Sequence, residues 1–447
     1  MKKFWIMIAA CLSAFSASDA DACTGLLVGK KASTDGSVMI SYAADSHTLY
    51  GELYRWPAAT WPEGSMLQIK EWDTGKPLGE IPQVRQTYSV VGNMNEHQVA
   101  ITESTFGGRP ELVNPKGIMD YGSLIYVALQ RSKTAREAIK VMTDLVAEYG
   151  YYSSGESFSI ADKNEVWIME MIGKGPDKKG AVWVAIRIPD DCISAHANQS
   201  RIQQIPFDDK ENCMYSPDVV SLAREKGYFK GEDKDFSFAK AYCPYEFGGL
   251  RGCEARVWSF FRKYDNSMDK YEDFIKGDPT KEPMPLYIKP NRKLSVQDVQ
   301  AGMRDHYEGT DLDMTKDAGA GPYKVPYRWR PMTFEVDGQE YTNERAIATQ
   351  QTGFVIVPQM RNWLPDAVGG ILWFGVDDAD MAVFNPIYCS TTASPECYRV
   401  GNGDMMNFSW TSAFWIHNWV ANMAYNKYSF MIEDIRKVQQ ELENGYQ

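Results

Sequence analysis

The sequence has 447 residues, a formal net charge of −12 and an isoelectric point near 5.1. An acidic chain without a basic run is a poor binder of nucleic acid or of an anionic membrane surface. Its 13 tryptophans and 25 tyrosines suit an extensive core and an aromatic-lined cleft equally well.

Residues 1–22 read as a secretory signal peptide. Lys2 and Lys3 form a positive n-region, Phe4 to about Phe15 an apolar h-region, and Ala20-Asp21-Ala22 an A-x-A cleavage site. The apolar run is too short to span a bilayer, and no later stretch reaches about 18 uncharged apolar residues. The mature chain is therefore expected to be exported, periplasmic or secreted, with no membrane span. Ile8-Ala9-Ala10-Cys11 resembles a lipoprotein-processing box, which would anchor the chain through Cys11 instead, but it leaves only a short apolar run before the cut.

From Thr24 onward the pattern is rich in sheet. "TGLLVG", a turn at Thr34-Asp35-Gly36-Ser37 and "VMISY" predict a hairpin that begins at the new N-terminus. A helix follows Thr134. Thr134 and Glu137 form a capping box, Ala138, Ile139, Met142, Leu145 and Val146 an apolar face, and Gly150 the stop. "SFSIADKNEVWIMEM" predicts a second hairpin turning at Asp162-Lys163-Asn164, and "AVWVAIRI" (181–188) a further strand. Residues 265–345 are polar and rich in Lys, Asp, Pro and Gly, which predicts insertions and long loops. A helical pattern from Ser412 to about Glu443, broken near Asn426, closes the chain. These elements predict an α+β fold: one domain from residue 23 to 447, of which about 265–447 carries insertions and a partly helical C-terminal extension.

Eight cysteines are present, and Cys11 leaves with the leader. Six of the rest form local couples, 192/213, 243/253 and 389/397, which an oxidising compartment would favour as disulfides. Six cysteines admit fifteen pairings, so the local one is a preference. Cys23 is left over. A cysteine at the start of a chain carries a thiol of pKa about 8.5 beside an α-amine of about 7.7–8.0, a nucleophile and its base on one residue. No catalytic histidine is then required, and the five histidines show no metal-ligand spacing such as H-E-x-x-H.

The segment "CTGLLVGKKASTDGSVMI" at a mature N-terminus resembles the N-terminal nucleophile (Ntn) cysteine hydrolases, and more narrowly the PepD-like dipeptidases related to penicillin V acylase and bile salt hydrolase. "VVGNMNEHQVAITEST", "ISAHANQSRI", "EARVWSFF", "MRDHYEGTDLDMTKD", "AGPY" and the C-terminal "FWIHNWVANMAYNKYSFMIEDIRKVQQELE" continue the likeness in the family's order. The resemblance implies a four-layer αββα sandwich of two antiparallel sheets with helices outside. It assigns Cys23 as nucleophile and Asp45 as the aspartate that orients it. It makes Asn198 an oxyanion donor and Arg256 the arginine beside the nucleophile. Where the family carries an arginine three residues before the aspartate, this chain has Tyr42, which offers one hydrogen bond and no fixed charge. Tyr42, Asn95 and Thr105 are candidate substrate contacts, although "MNEH" around Asn95 reads better as a hairpin turn. His306 and Glu308 in "DHYEG" read as a structural hydrogen-bonding pair rather than an acid and base.

The resulting expectation is an exported cysteine dipeptidase acting on short peptides through an acyl-enzyme, without metal or organic cofactor. The oligomeric state is left open, a homo-oligomer included. Two other functions fit the same sequence: an amidase for N-acyl amino acids or bile-salt-type conjugates, and a non-catalytic periplasmic binding protein on a decayed hydrolase scaffold.

Overall fold

In the computed structural model, described for residues 23–328 and 333–446, the chain opens with the expected hairpin. The leader expectation falls on residues 1–22 and lies outside the described residues. Gly25–Val28 pairs antiparallel with Val38–Ile40, Leu27 facing Ile40 and Val28 facing Met39. On its other edge Gly25–Val28 pairs with Ile193–His196, Gly25 facing His196. The eight-stranded sheet built on this hairpin continues from Val38–Ile40 to Thr352–Met360, which also takes Tyr42–Asp45, then to Ile371–Val376 and Asn385–Tyr388. A second eight-stranded sheet centres on Ala100–Gly107, Gly155–Ala161, Val166–Gly173 and Ala181–Ile188. The turn between its two middle strands lies where the sequence places it, with the Asp162 carboxylate accepting the main-chain N–H groups of Asn164 and Glu165.

Both sheets are apolar on both faces, which sets the layering. Leu27, Val38 and Ile40 of the first sheet share a buried cluster with Ile168, Ile172 and Val184 of the second. The alternate residues Leu26, Val28 and Met39 face the helices Ala255–Arg262 and Val296–Met303. On the second sheet Phe158, Trp167 and Met169 face Tyr121–Arg131 and Ala135–Tyr149. Side chains that alternate along a strand reach opposite faces, so one hairpin serves two interfaces.

Local chemistry bounds the helices as read. Thr134 accepts the N–H of Glu137 at the start of Ala135–Tyr149, and Gly150 ends it at φ 81°. The closing pattern divides into Ala413–Ala424 and Tyr428–Gly445. The second of these is held by Arg436 on the Asp380 carboxylate and by Glu443, which accepts from Arg304 at 2.5 Å. The polar stretch 265–345 forms short helical turns, loops and a hairpin of Thr333–Val336 with Gln339–Thr342.

The disulfide expectation is corrected. All seven described cysteines are free thiols, so none of the couples 192/213, 243/253 and 389/397 is joined in this structure. Cys192, Cys213 and Cys243 sit in the cluster between the sheets as small apolar side chains, and Cys389 donates to the Asp366 carbonyl at 3.1 Å. Cys253 is half-buried and Cys397 exposed.

His196 ties the sheets together. Its Nδ1 lies 2.6 Å from the Ser104 hydroxyl and its Nε2 2.7 Å from that of Ser159, both on the opposing sheet. Burial, with Arg201 and Arg256 nearby, lowers its pKa to about 3. The unfolded chain therefore takes up a proton near pH 6.5 that the folded chain refuses, and stability is lost as pH falls from that value towards 3. Between pH 7 and pH 4.5 this one group should remove about 2–3 kcal/mol. Thermal unfolding of His196→Gln at the two pH values should show a correspondingly smaller acid penalty than the parent chain. An equal penalty would refute the assignment.

Candidate active site

The first hairpin places Cys23 immediately before Gly25–Val28, where the Thr24 carbonyl accepts the Ala43 N–H at 3.0 Å. The sulfur is buried but lines a cleft of about 700 Å³. It lies 3.6 Å from the Tyr42 hydroxyl and 3.5 Å from a Glu103 carboxylate oxygen, and the Tyr42 hydroxyl donates to that same oxygen. Burial pushes the Cys23 thiol well above its usual range. The negative charges of Glu103 and Asp45 push it further, while the Asp45 main-chain N–H and the Tyr42 hydroxyl oppose the rise. A thiol so placed is neutral and needs a base beside it to attack.

Arg256 organises the main chain behind the sulfur. Its helix, Ala255–Arg262, follows a π-helical turn, Leu250–Glu254, a feature frequent at functional sites. A guanidinium has five N–H groups, and all are used. Nε donates to Gly252 O at 2.7 Å, Nη1 to Cys23 O at 2.8 Å and Thr24 Oγ1 at 2.7 Å, and Nη2 to Ala197 O at 3.1 Å and Asn198 Oδ1 at 2.9 Å. These acceptors are neutral oxygens, so a buried positive charge stands beside the main chain of Cys23 without a carboxylate bonded to it.

Asn198 follows the strand Ile193–His196 in the left-handed region at φ 59°, a conformation that asparagine tolerates better than most residues. Its orientation is fixed at both ends. Oδ1 accepts from Arg256, and Nδ2 donates to the Thr105 carbonyl at 2.7 Å. Asp45, at the end of Tyr42–Asp45, accepts from Arg345 Nη2 at 2.5 Å and from the Thr352 hydroxyl at 2.6 Å.

Cys23, Tyr42, Asp45, Asn198 and Arg256 are thus brought together. Thr105 joins through its carbonyl, while its hydroxyl donates to Glu156 at 2.8 Å. Asn95 is not part of the group. Its amide donates to Leu129 O and Ser132 O and its oxygen accepts the N–H groups of His97 and Val99, which makes it the clamp of its own turn. His306 and Glu308 bond to each other away from the cleft. Metal-binding groups of three or more His, Cys, Asp or Glu are absent among the described residues.

Peptidase family C69 matches residues 22–441 of this sequence. The chain belongs to that family. It is a peptidase of the cysteine type. Curated relatives of this C69 peptidase carry dipeptidase names. A probable dipeptidase of Latilactobacillus sakei is 28% identical over 91% of this chain and 82% of its own. One of Salmonella dublin is 26% identical over 82% of this chain and 81% of its own. Dipeptidase A of Lactobacillus helveticus is 25% identical over 91% and 82% respectively.

Two residues of the C69 peptidase's site are absent from the sequence-based assignment. Arg345 comes from the polar stretch assigned to insertions, and Glu103 sits in a strand whose alternation marks it only as one polar residue among several. The wall of the cleft was equally hidden. Its aromatic side is a cluster of Tyr54, Trp72 and Tyr126, with Trp72 centred 5.2 Å from Tyr54, edge to face, and 4.5 Å from Tyr126, tilted. Its carboxylates are Asp45, Glu52, Glu71, Asp73 and Glu103, and among the described residues its lining includes no lysine or arginine. The Tyr121 hydroxyl holds Asp73 at 2.8 Å, and burial raises the pKa of that carboxyl.

Proposed function

We propose that this peptidase is an exported dipeptidase of the Ntn type, made active when cleavage after Ala22 frees the α-amine of Cys23. The observation that carries the proposal is the position of Cys23, with its sulfur on the cleft and its carbonyl tied by Arg256 to the same guanidinium that orients Asn198. The family match beginning at residue 22 and the dipeptidase names of the relatives support it. In this reading two face-to-face sheets with helices outside form the four-layer αββα sandwich, residues 23–447 act as one domain, and the protein works in the periplasm or outside the cell.

The chemistry follows from the groups present. The freed amine, close to neutral in its proton affinity, takes the thiol proton directly or through one water. Its positive charge then offsets the field of Glu103 and Asp45 that otherwise holds the sulfur protonated. Asp45, fixed by Arg345 and Thr352, holds the new N-terminus in place. The thiolate attacks the carbonyl carbon of the first residue, forming the carbon–sulfur bond and driving electrons onto the oxygen. Asn198 Nδ2, steered by Arg256, donates to that oxyanion. The amine returns the proton to the departing nitrogen, and water then releases the acyl group from sulfur.

Asn198→Ala tests the oxyanion assignment. It should lower kcat for a dipeptide by about 10²–10³-fold with little change in KM. A kcat within a few-fold of the parent enzyme would remove Asn198 from the mechanism.

A further inference from the structure

The geometry points to Glu103 as the residue that reads the substrate's α-ammonium, and so as the group that makes the site select unblocked dipeptides over N-acyl compounds. This inference rests on the proposed dipeptidase reading and extends it. The first observation is distance. In a peptide with a free N-terminus the ammonium nitrogen stands about 2.5 Å from the carbonyl carbon of its own residue. A sulfur poised to attack that carbon lies about 3–3.5 Å from it. A carboxylate oxygen 3.5 Å from Cys23 Sγ is therefore within reach of the ammonium of the residue being attacked. The ammonium of a residue placed one position further along the chain would sit about 3.8 Å beyond that reach.

The second observation is the charge of the surroundings. Glu103 is buried, and the cleft lining around it holds four other carboxylates and, among the described residues, no lysine or arginine. Asp45 is bonded to Arg345, and the Tyr42 hydroxyl donates to Glu103. As a neutral donor, the Tyr42 hydroxyl orients the Glu103 carboxylate. An arginine at position 42 would place a fixed cation against Glu103 and compete with a substrate ammonium. Tyr42 is accordingly a positioning residue and Glu103 a specificity residue.

The test compares Ala–Phe with propionyl-phenylalanine, which has the same shape without the amino group. The parent enzyme should favour Ala–Phe by about 10–100-fold in kcat/KM, the scale of a buried hydrogen bond to a charge. Glu103→Gln should erase most of that ratio by raising KM for Ala–Phe, since any change it makes in the reactivity of Cys23 falls on both compounds alike and cancels in the ratio. A parent enzyme that hydrolyses both equally overturns the inference. So does a Glu103→Gln enzyme slowed equally on both, because Glu103 would then serve the chemistry or the Cys23 amine. Tyr42→Phe gives a second reading should Glu103→Gln fold poorly: the ratio should fall by about three- to tenfold, and an unchanged ratio counts against the assignment. Calorimetric binding of the same two compounds to Cys23→Ala, with and without Glu103→Gln, separates this inference from the catalytic reading. Preferential binding of Ala–Phe that disappears with Glu103→Gln supports the assignment even if Cys23 is not the nucleophile, and equal binding of the two compounds refutes it.

Discussion

A chain that starts at Cys23 is expected to hydrolyse dipeptides, and the same chain carrying one extra residue before Cys23 is expected to be inactive. Both proteins contain the thiol, the cleft, Asn198 and Arg256. Only the first has a free amine next to the sulfur. Without it the thiol remains where burial, Glu103 and Asp45 push it, protonated at neutral pH, and among the described residues no histidine lines the cleft to take the proton. The loss should be on the order of 10⁴-fold or more, comparable to removing a nucleophile outright. Cys23→Ala should lose as much. Cys23→Ser should fall by at least about 10²-fold, because a hydroxyl is a far weaker acid than a thiol and its oxygen gains little from a base of near-neutral pKa. The measurement is steady-state turnover on proteins whose N-termini are verified by mass. Full activity in the chain extended by one residue would eliminate the amine as base and with it the Ntn reading.

Arg256→Lys is expected to disable the enzyme while keeping its charge. A lysine has three donors on one nitrogen and cannot reproduce a fork that serves five acceptors in two directions. At least two of Gly252 O, Cys23 O, Thr24 Oγ1, Ala197 O and Asn198 Oδ1 would be stranded in a buried setting. Each stranded acceptor costs about 1–3 kcal/mol of stability. The catalytic effect should be larger than the stability effect, because Asn198 loses the bond that fixes its amide. A fall of about 10²-fold or more in kcat is expected, together with a lower unfolding temperature. The two readouts separate the roles. A destabilised protein with undiminished kcat would show that Arg256 is a structural cross-link alone.

The parts of this site that a reader of the sequence could find are those carried by local pattern. Cys23 follows an A-x-A, Asp45 ends the second half of a hairpin, Asn198 follows an alternating strand, and Arg256 sits three residues beyond a cysteine in a helix-forming run. Each belongs to a short segment whose neighbours define its conformation. Arg345 and Glu103 were missed for the opposite reason. Arg345 reaches Asp45 across 300 positions of sequence, and Glu103 reaches Cys23 across 80. Neither pairing leaves a local trace. The disulfide expectation failed in the same way, because short spacing between two cysteines does not fix where their sulfurs point in the folded chain.

Sequence alone determined the elements and their limits: the opening hairpin, the Thr134-capped helix, the paired strands around Asp162, and the cysteine that heads the first strand. These depend on side-chain periodicity, turn chemistry and capping, all of which act within a few residues. Tertiary structure alone decided what surrounds the sulfur. Two sheets had to close on one another before a carboxylate from one could stand beside a thiol from the other. The helix bearing Arg256 had to dock before its guanidinium could join Cys23 to Asn198. Reactivity at Cys23 is set by burial and by charges a few ångströms away, and those distances exist only in the folded chain.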